Sequence, residues 1–137
     1  MFTRLFSALA LTTLTMTAAQ AQERPAGKVT IVFDRPIPHI PGKSLKGVLV
    51  EYGPGAASPA HTHAKSAFIY ATVLEGAVRS SVNGSPEKVY KAGENWVEEP
   101  GAFHGVSANA SDKEPARLLA VFVVNTDDTE LTRFVKK

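Results

Sequence analysis

Beyond residue 27, apolar side chains occur in short runs separated by polar segments that contain glycine, proline or asparagine. In the first run, Val29, Ile31 and Phe33 fall at every second position, the period of a β-strand. No long stretch has helical spacing, and Asn83-Gly84 predicts a hairpin turn. Further apolar runs lie at residues 48–52, 67–74, 78–82, 88–90, 96–97, 103–107 and 118–124. The pattern predicts an all-β domain of about eight strands, either a jelly-roll sandwich or a small barrel.

The N-terminal segment has a different pattern. Arg4 precedes an apolar run at residues 5–16, and Ala19 and Ala21 offer small residues at a cleavage site. The apolar run is shorter than the roughly twenty residues that span a bilayer. These features predict a secretory signal peptide at residues 1–21, cleaved after Ala21, and a periplasmic or secreted protein.

The rest of the chain has the length of a single domain. Residues 22–44 carry several prolines and are predicted to form an N-terminal arm, and residues 45–137 a single β-barrel with a C-terminal strand. The formal charge of the whole chain is only +2, with scattered basic residues, which argues against a nucleic acid partner. We also expect no membrane association after signal cleavage. Because the chain has no cysteine, any metal must be held by nitrogen and oxygen.

Three of the four histidines form a candidate metal site. His61 and His63 are two residues apart, so in a strand both side chains project to the same face. His104 follows the Pro100-Gly101 turn and would arrive from another strand. Three neutral imidazoles favour Fe, Ni, Zn, Cu or Co over Mg or Ca, so the predicted cofactor is a divalent metal ion of that group.

Two motifs built around these histidines resemble those of the cupin superfamily. The first family motif is Gly, five residues, His-x-His, three or four residues, Glu, six residues, Gly. Here Gly55, His61 and His63 keep its spacing, and Gly76 would be the closing glycine. Six residues before Gly76 the chain has Ile69, with one more residue in the preceding gap than the motif allows. The other readings of the glutamate position are Ala67 and Phe68, so the motif carboxylate is missing in every alignment. The resemblance implies a double-stranded β-helix, the jelly-roll barrel of the cupin type, with a metal site.

The second family motif is Gly, five residues, Pro-x-Gly, two residues, His, three residues, Asn. Gly93, Gly101 and His104 keep this spacing, while Glu99 takes the proline position and Ala108 the asparagine position. The strings at residues 58–63, 73–77 and 115–119 are similar to those of small exported bacterial cupins. Because cupins catalyse many different reactions and also include non-catalytic proteins, the resemblance leaves the function open.

Glu99 is a candidate for the missing carboxylate, either as a fourth ligand or as an acceptor for an imidazole N–H. The alternative is that Glu98 and Glu99 form a solvated pair at the end of a strand. Adjacent strand residues face opposite ways, so only one of the two can point inward.

The same alternation predicts the lining of a pocket. If Ile69 faces inward, Ala71 and Val73 do so as well, and the pocket is largely apolar. Arg79 also points inward if the alternation continues past Gly76. A bulge at this glycine instead places Val78 and Val82 inside and Arg79 in solvent.

Two functional hypotheses follow. The first is a small periplasmic metalloenzyme, oxidoreductase-like, that acts on a small polar substrate by dioxygenase-like chemistry or by metal-assisted hydrolysis or isomerisation. The second is a non-catalytic cupin that binds a small molecule or a metal. Phe68 and Tyr70 fall on the outer face of their strand and, with the arm at residues 22–44, predict a homodimer interface.

Overall fold

The computed structural model describes residues 24–135. The predicted signal peptide at residues 1–21 lies outside these residues and stays a prediction. Within the described residues, no helix has the length and apolar character needed to cross a membrane.

Eleven β-strands make up the described part of the chain, in agreement with the predicted all-β class. They are β1 Lys28–Pro36, β2 Lys43–Tyr52, β3 Ala57–Ser58, β4 His61–His63, β5 Phe68–Glu75, β6 Ala77–Val82, β7 Lys88–Lys91, β8 Asn95–Glu98, β9 Phe103–Asn109, β10 Ala116–Asn125 and β11 Thr132–Phe134. The predicted runs correspond to the longer strands, whereas the short strands β3, β4 and β11 have no apolar run of their own.

The strands form two antiparallel sheets that face each other. One sheet has the order β1-β2-β10-β5-β8, and the other has the order β11-β4-β9-β6-β7, with β3 also paired to β9. The inward residues of the long strands form the hydrophobic core between the sheets. In β10 every second residue, from Ala116 to Val124, is buried, which is the alternation expected for a strand with one face on the core.

Gly76 connects the two sheets, because β5 belongs to one and β6 to the other. Its φ of 68° lies in the left-handed region, which favours glycine. A Cβ atom at this position would collide with the backbone carbonyl oxygen of Pro115. The glycine at the end of the first motif is therefore required both by its backbone conformation and by the close approach of the neighbouring chain.

The outer face of the five-stranded sheet carries exposed apolar side chains. Phe68 and Tyr70 are 42% and 44% exposed on β5, the face that the alternation predicts for them. Part of the predicted arm forms β1, which pairs only with β2 and has all nine residues exposed. The homodimer interface remains a prediction, since the structure describes a single chain.

Candidate metal centre

His61, His63 and His104 lie together between the two sheets. His61 and His63 are on β4, and His104 is on β9, directly opposite His61 in the antiparallel pairing. The ring centroid of His61 is 4.8 Å from that of His63 and 5.1 Å from that of His104. One nitrogen from each ring lies within 4.8 Å of the others. The two strands thus bring together the three histidines that the sequence singles out.

The hydrogen bonds of His61 and His63 fix which ring nitrogen is free. His61 Nδ1 lies 2.7 Å from the carbonyl oxygen of Pro59, and His63 Nδ1 lies 3.1 Å from that of Leu131. A carbonyl oxygen only accepts, so each Nδ1–H donates to it. In the neutral rings, both Nε2 atoms therefore carry a free lone pair, the form in which imidazole binds a metal.

His104 is held from outside the cluster by Ser80. The Ser80 hydroxyl lies 2.8 Å from His104 Nε2, and both side chains are buried. A hydroxyl group can donate or accept, so it accommodates either tautomer of this ring. When Nε2–H donates to Ser80, His104 Nδ1 is the nitrogen with a free lone pair.

A buried carboxylate, Glu98, completes the cluster from the opposite sheet. Its side chain is only 3% exposed, with Oε1 3.2 Å from His104 Nδ1 and Oε2 3.1 Å from His63 Nε2. The indole N–H of Trp96 donates to Oε1 over 3.1 Å. Among the described residues, Glu98 Oε2 is the only buried side-chain nitrogen or oxygen without a hydrogen-bond partner.

These contacts fit a bound cation. With a neutral ring, the lone pair of His63 Nε2 and the carboxylate oxygen Glu98 Oε2 face each other at 3.1 Å and repel, and either a proton on Nε2 or a metal ion between the two atoms removes that repulsion. Nitrogens about 2.1 Å from a common ion are at most about 4.2 Å apart, so the rings need to close only slightly. Three imidazoles and one carboxylate form a donor set suited to a divalent transition metal.

The protonation states of His61 and Glu98 also fit a bound cation. Burial lowers the pKa of His61 to about 4, so this ring is neutral at neutral pH and available as a ligand. Burial alone would raise the pKa of the Glu98 carboxyl, but the adjacent His104 and His63 rings outweigh it and lower this pKa well below its usual range. Glu98 is therefore ionised and carries a negative charge among three imidazoles.

The structure corrects the assignment of the candidate carboxylate. Glu99 is exposed and lies outside the cluster, while its neighbour Glu98 points inward. Trp96 and Glu98 share the inner face of β8, and Glu99 follows the last residue of that strand. In the β5–β8 pairing, Glu98 lies directly opposite Ile69, the residue at the glutamate position of the first motif. The carboxylate is thus present in nearly the same place but is supplied by the neighbouring strand.

A cavity of about 310 Å³ opens beside the three histidines and Glu98. Ile69 and Ala71 line it, whereas Val73 is buried in the core without lining it. Arg79 does not face the cavity, because its guanidinium binds Glu87 at 2.9 Å on the outside. Val78, by contrast, is fully buried, so the alternation does reverse past Gly76. The apolar part of the wall includes Val48, Ile69, Ala71, Leu118, Ala120 and Phe122.

Sequence reasoning missed several residues of the cavity wall. Trp96 and Tyr52 lie on the inner faces of β8 and β2, and their alternation with outward neighbours is a signal that could have identified them. Thr132 and Phe134 also line the cavity from β11, which pairs with β4. Three residues are too few for a periodic pattern, so the sequence contains no comparable signal for β11.

The family model of the cupin domain matches residues 48–122, more than half of the chain. No curated protein is significantly similar in sequence. Among solved structures, an uncharacterized conserved protein with a double-stranded β-helix domain from Klebsiella pneumoniae has a TM-score of 0.63 and 17% identity. The match covers 86% of this chain and 90% of that chain.

Two further structures share the fold. The cupin domain of Schizosaccharomyces pombe Cnp3 has a TM-score of 0.59 and 21% identity, covering 73% of this chain and 62% of that one. Oxalate oxidase in complex with the substrate analogue glycolate has a TM-score of 0.60 and 22% identity, covering 87% and 60%. The chain thus spans less than two thirds of both proteins, and these low identities indicate a common fold alone. The match of the cupin domain model over residues 48–122 shows that this chain belongs to the cupin domain family.

Proposed function

We propose that this protein binds one divalent metal ion through His61, His63, His104 and Glu98 and uses it to bind a small molecule in the adjacent cavity. The observation that carries the proposal is the contact between His63 Nε2 and Glu98 Oε2. While the His63 ring is neutral both atoms are buried acceptors, and a metal ion bound between them would satisfy both together.

A divalent ion bound at this site would polarise an oxygen atom of a ligand and lower the pKa of bound water. The remaining roles belong to the protein. Pro59 and Leu131 orient the rings of His61 and His63 through their carbonyl oxygens, and Ser80 orients His104. Trp96 holds Glu98 by its indole N–H. This support fixes the ring orientations before a metal binds, which raises affinity.

Proton transfer in this cavity has few candidate groups. Apart from the three histidines and Glu98, the titratable side chain in the wall is Tyr52. Burial raises the pKa of Tyr52, and its hydroxyl lies 2.7 Å from Ser58 Oγ and 2.8 Å from Ser107 Oγ. Tyr52 is therefore the one titratable group of the wall outside the proposed ligand set.

The first candidate is a metal-dependent enzyme with oxidoreductase-like, dioxygenase-like or metal-assisted hydrolytic or isomerising chemistry. Oxalate oxidase, which has the same fold, shows that this type of barrel supports oxidative chemistry in that protein. The second candidate is a non-catalytic metal or small-molecule binder, favoured by the scarcity of free acid or base groups in the cavity. Oxygen uptake by metal-loaded protein over a panel of diketones, thiols, phenols and oxalate separates the two candidates.

Export to the periplasm or the cell exterior is part of the proposal. It is supported by the apolar run at residues 5–16 and the small residues Ala19 and Ala21. Cell fractionation and N-terminal sequencing of the mature protein test it. We expect a new N-terminus at Gln22, and a cytoplasmic protein that retains Met1 would contradict export.

The metal site is tested by titrating EDTA-stripped protein with divalent metal ions, using the parent and the His104→Ala variant. We expect one ion per chain in the parent and at least about a hundredfold weaker affinity in His104→Ala, because a ligand is lost and a buried charge stays uncompensated. Thermal unfolding of the metal-free proteins shows whether the variant is folded.

The matched control is His39→Asn. His39 is the fourth histidine and lies exposed in a turn with φ 65°, a conformation that asparagine tolerates. Its replacement should leave metal affinity unchanged. Substoichiometric metal in the parent, or equal affinity in parent and His104→Ala, would reject the metal site.

A further inference from the structure

We propose that the ligand of this cavity is a compact, mostly apolar molecule of about one substituted aromatic ring, which carries a single oxygen-donor head toward the metal centre. The inference rests on the proposed metal site and adds the chemical class of the ligand. It replaces the small polar substrate expected from the sequence.

The metal-ligating groups of the cavity wall lie together, and most of the remaining wall is apolar. These groups are the histidines and Glu98, while Val48, Ala71, Leu118 and Ala120 belong to the apolar remainder. A small polar ligand would leave this apolar surface in contact with water, whereas an apolar body removes it from water at about 25 cal/mol per Å².

The hydroxyl groups elsewhere in the wall already have partners. The Tyr52 hydroxyl hydrogen-bonds to both Ser58 Oγ and Ser107 Oγ, and Thr132 Oγ1 lies 3.3 Å from His63 Nδ1. Among buried side-chain atoms of the described residues, the unsatisfied one is Glu98 Oε2, at the metal centre. The cavity therefore requires polar contacts from a ligand at one place, which argues for one polar head and an apolar body.

The volume limits the size of the ligand. About 310 Å³ is roughly twice the 150 Å³ of an apolar protein cavity known to bind benzene. A single ring with a small head group and a short substituent fits this space, whereas a two-carbon acid fills little of it.

Apolar side chains also line the entrance. Val29 on β1 and Phe134 on β11 both line the cavity, and each is 60% exposed, so they lie at its opening. The Phe134 ring is 6.0 Å from that of His61 in an edge-on arrangement. A ligand whose head lies at the histidines would place its body against Phe134, which gains buried area on binding.

Three related probes test this ligand class with zinc-loaded protein. Benzohydroxamate has a chelating head and a phenyl body, acetohydroxamate has the same head with a methyl group, and benzamide has the phenyl body with a much weaker donor. Trp96 is the single tryptophan of the chain and lines the cavity, so its fluorescence reports binding directly. We expect benzohydroxamate to bind at least about tenfold more tightly than acetohydroxamate, since its phenyl group buries more apolar area.

Two variants locate the effect. Phe134→Ala should weaken benzohydroxamate binding by about fivefold to tenfold and leave acetohydroxamate unchanged. Val135→Ala is the matched control, because Val135 is the next residue, is 52% exposed and does not line the cavity. Ala71→Leu, which fills the cavity, should exclude benzohydroxamate while zinc still binds.

Equal affinity of the two hydroxamates for zinc-loaded protein would overturn the ligand class and leave the metal site intact. Failure of zinc to bind would instead reject the proposed function. In that case, comparing benzamide with acetamide on metal-free protein still tests the apolar body: a clear preference for benzamide would support it, and equal weak binding would reject it.

Discussion

The two sheets contribute differently to the cavity. The six-stranded sheet supplies the three histidines and the hydroxyls of Ser58, Ser107 and Thr132, and its one apolar contribution is Phe134. The five-stranded sheet supplies aliphatic and aromatic side chains, and its oxygen-bearing groups in the wall are the Glu98 carboxylate and the Tyr52 hydroxyl. The six-stranded sheet therefore supplies most of the metal-binding groups, and the five-stranded sheet supplies most of the apolar wall. Glu98 is the metal-binding group that the five-stranded sheet contributes.

The largest expected effect comes from disturbing the connection between the sheets. Gly76→Ala combines a left-handed backbone with a collision against the Pro115 carbonyl, and we expect it to lower the free energy of unfolding by about 3 kcal/mol. Urea denaturation of the metal-free protein measures this change.

Gly84→Ala is the control for the collision. Gly84 has a similar φ of 72°, but no atom lies within 4 Å of the place that a Cβ would take, so only the backbone cost of about 1 kcal/mol is expected. Equal destabilisation by both substitutions would show that the approach of Pro115 is unimportant for joining the sheets.

A smaller effect is expected when the five-stranded sheet loses its metal-binding carboxylate, Glu98. Glu98→Gln keeps the shape but removes the charge, and we expect metal affinity to fall by about 10- to 100-fold. Isothermal titration with zinc measures the affinity. Glu99→Gln, one residue away and exposed, should match the parent. A Glu98→Gln variant with parental affinity would confine the metal chemistry to the six-stranded sheet.

An exchange of two residues sharpens this test. Ile69 and Glu98 are directly opposite each other, so Ile69→Glu combined with Glu98→Ile returns the carboxylate to the usual position of the family motif. We expect this double variant to bind zinc within about tenfold of the parent, while Glu98→Ile alone binds at least that much more weakly. Equal losses of zinc affinity in both variants would mean that a carboxylate contributes to metal binding only when β8 supplies it.

The smallest expected effect on the cavity comes from the outer face of the five-stranded sheet. Tyr70 faces away from the cavity and lies opposite Val121 and Val97, so the outer face is also apolar at this row. We propose that this face forms a homodimer, and Tyr70→Glu should then shift the protein toward monomer without changing zinc affinity. Light scattering coupled to size-exclusion chromatography measures the mass, and a monomeric parent would contradict the dimer.

The alternation of strand residues explains how much of the site is predictable. It places His61 and His63 on one side and gives Ile69 its inward direction, because both inferences stay within one strand. The choice between Glu98 and Glu99 depends on the register of β8 against β5, and a shift of one residue exchanges inside and outside. Register arises from tertiary pairing, so the sequence left that choice open.

The contribution of β11 was not predictable for a related reason. Thr132 and Phe134 reach the cavity because β11 pairs with β4, more than sixty residues earlier in the chain. No local pattern in a three-residue strand encodes such a contact.

The pairing of Ile69 with Glu98 also has a consequence for how metal sites in β-proteins are searched for. Two residues on neighbouring strands point toward almost the same volume, so either can deliver the same functional group to it. A site of this kind is described better by a location in space than by a spacing along the chain. A chain that lacks an expected ligand in its linear motif can therefore be examined at the cross-strand partner of the vacant position.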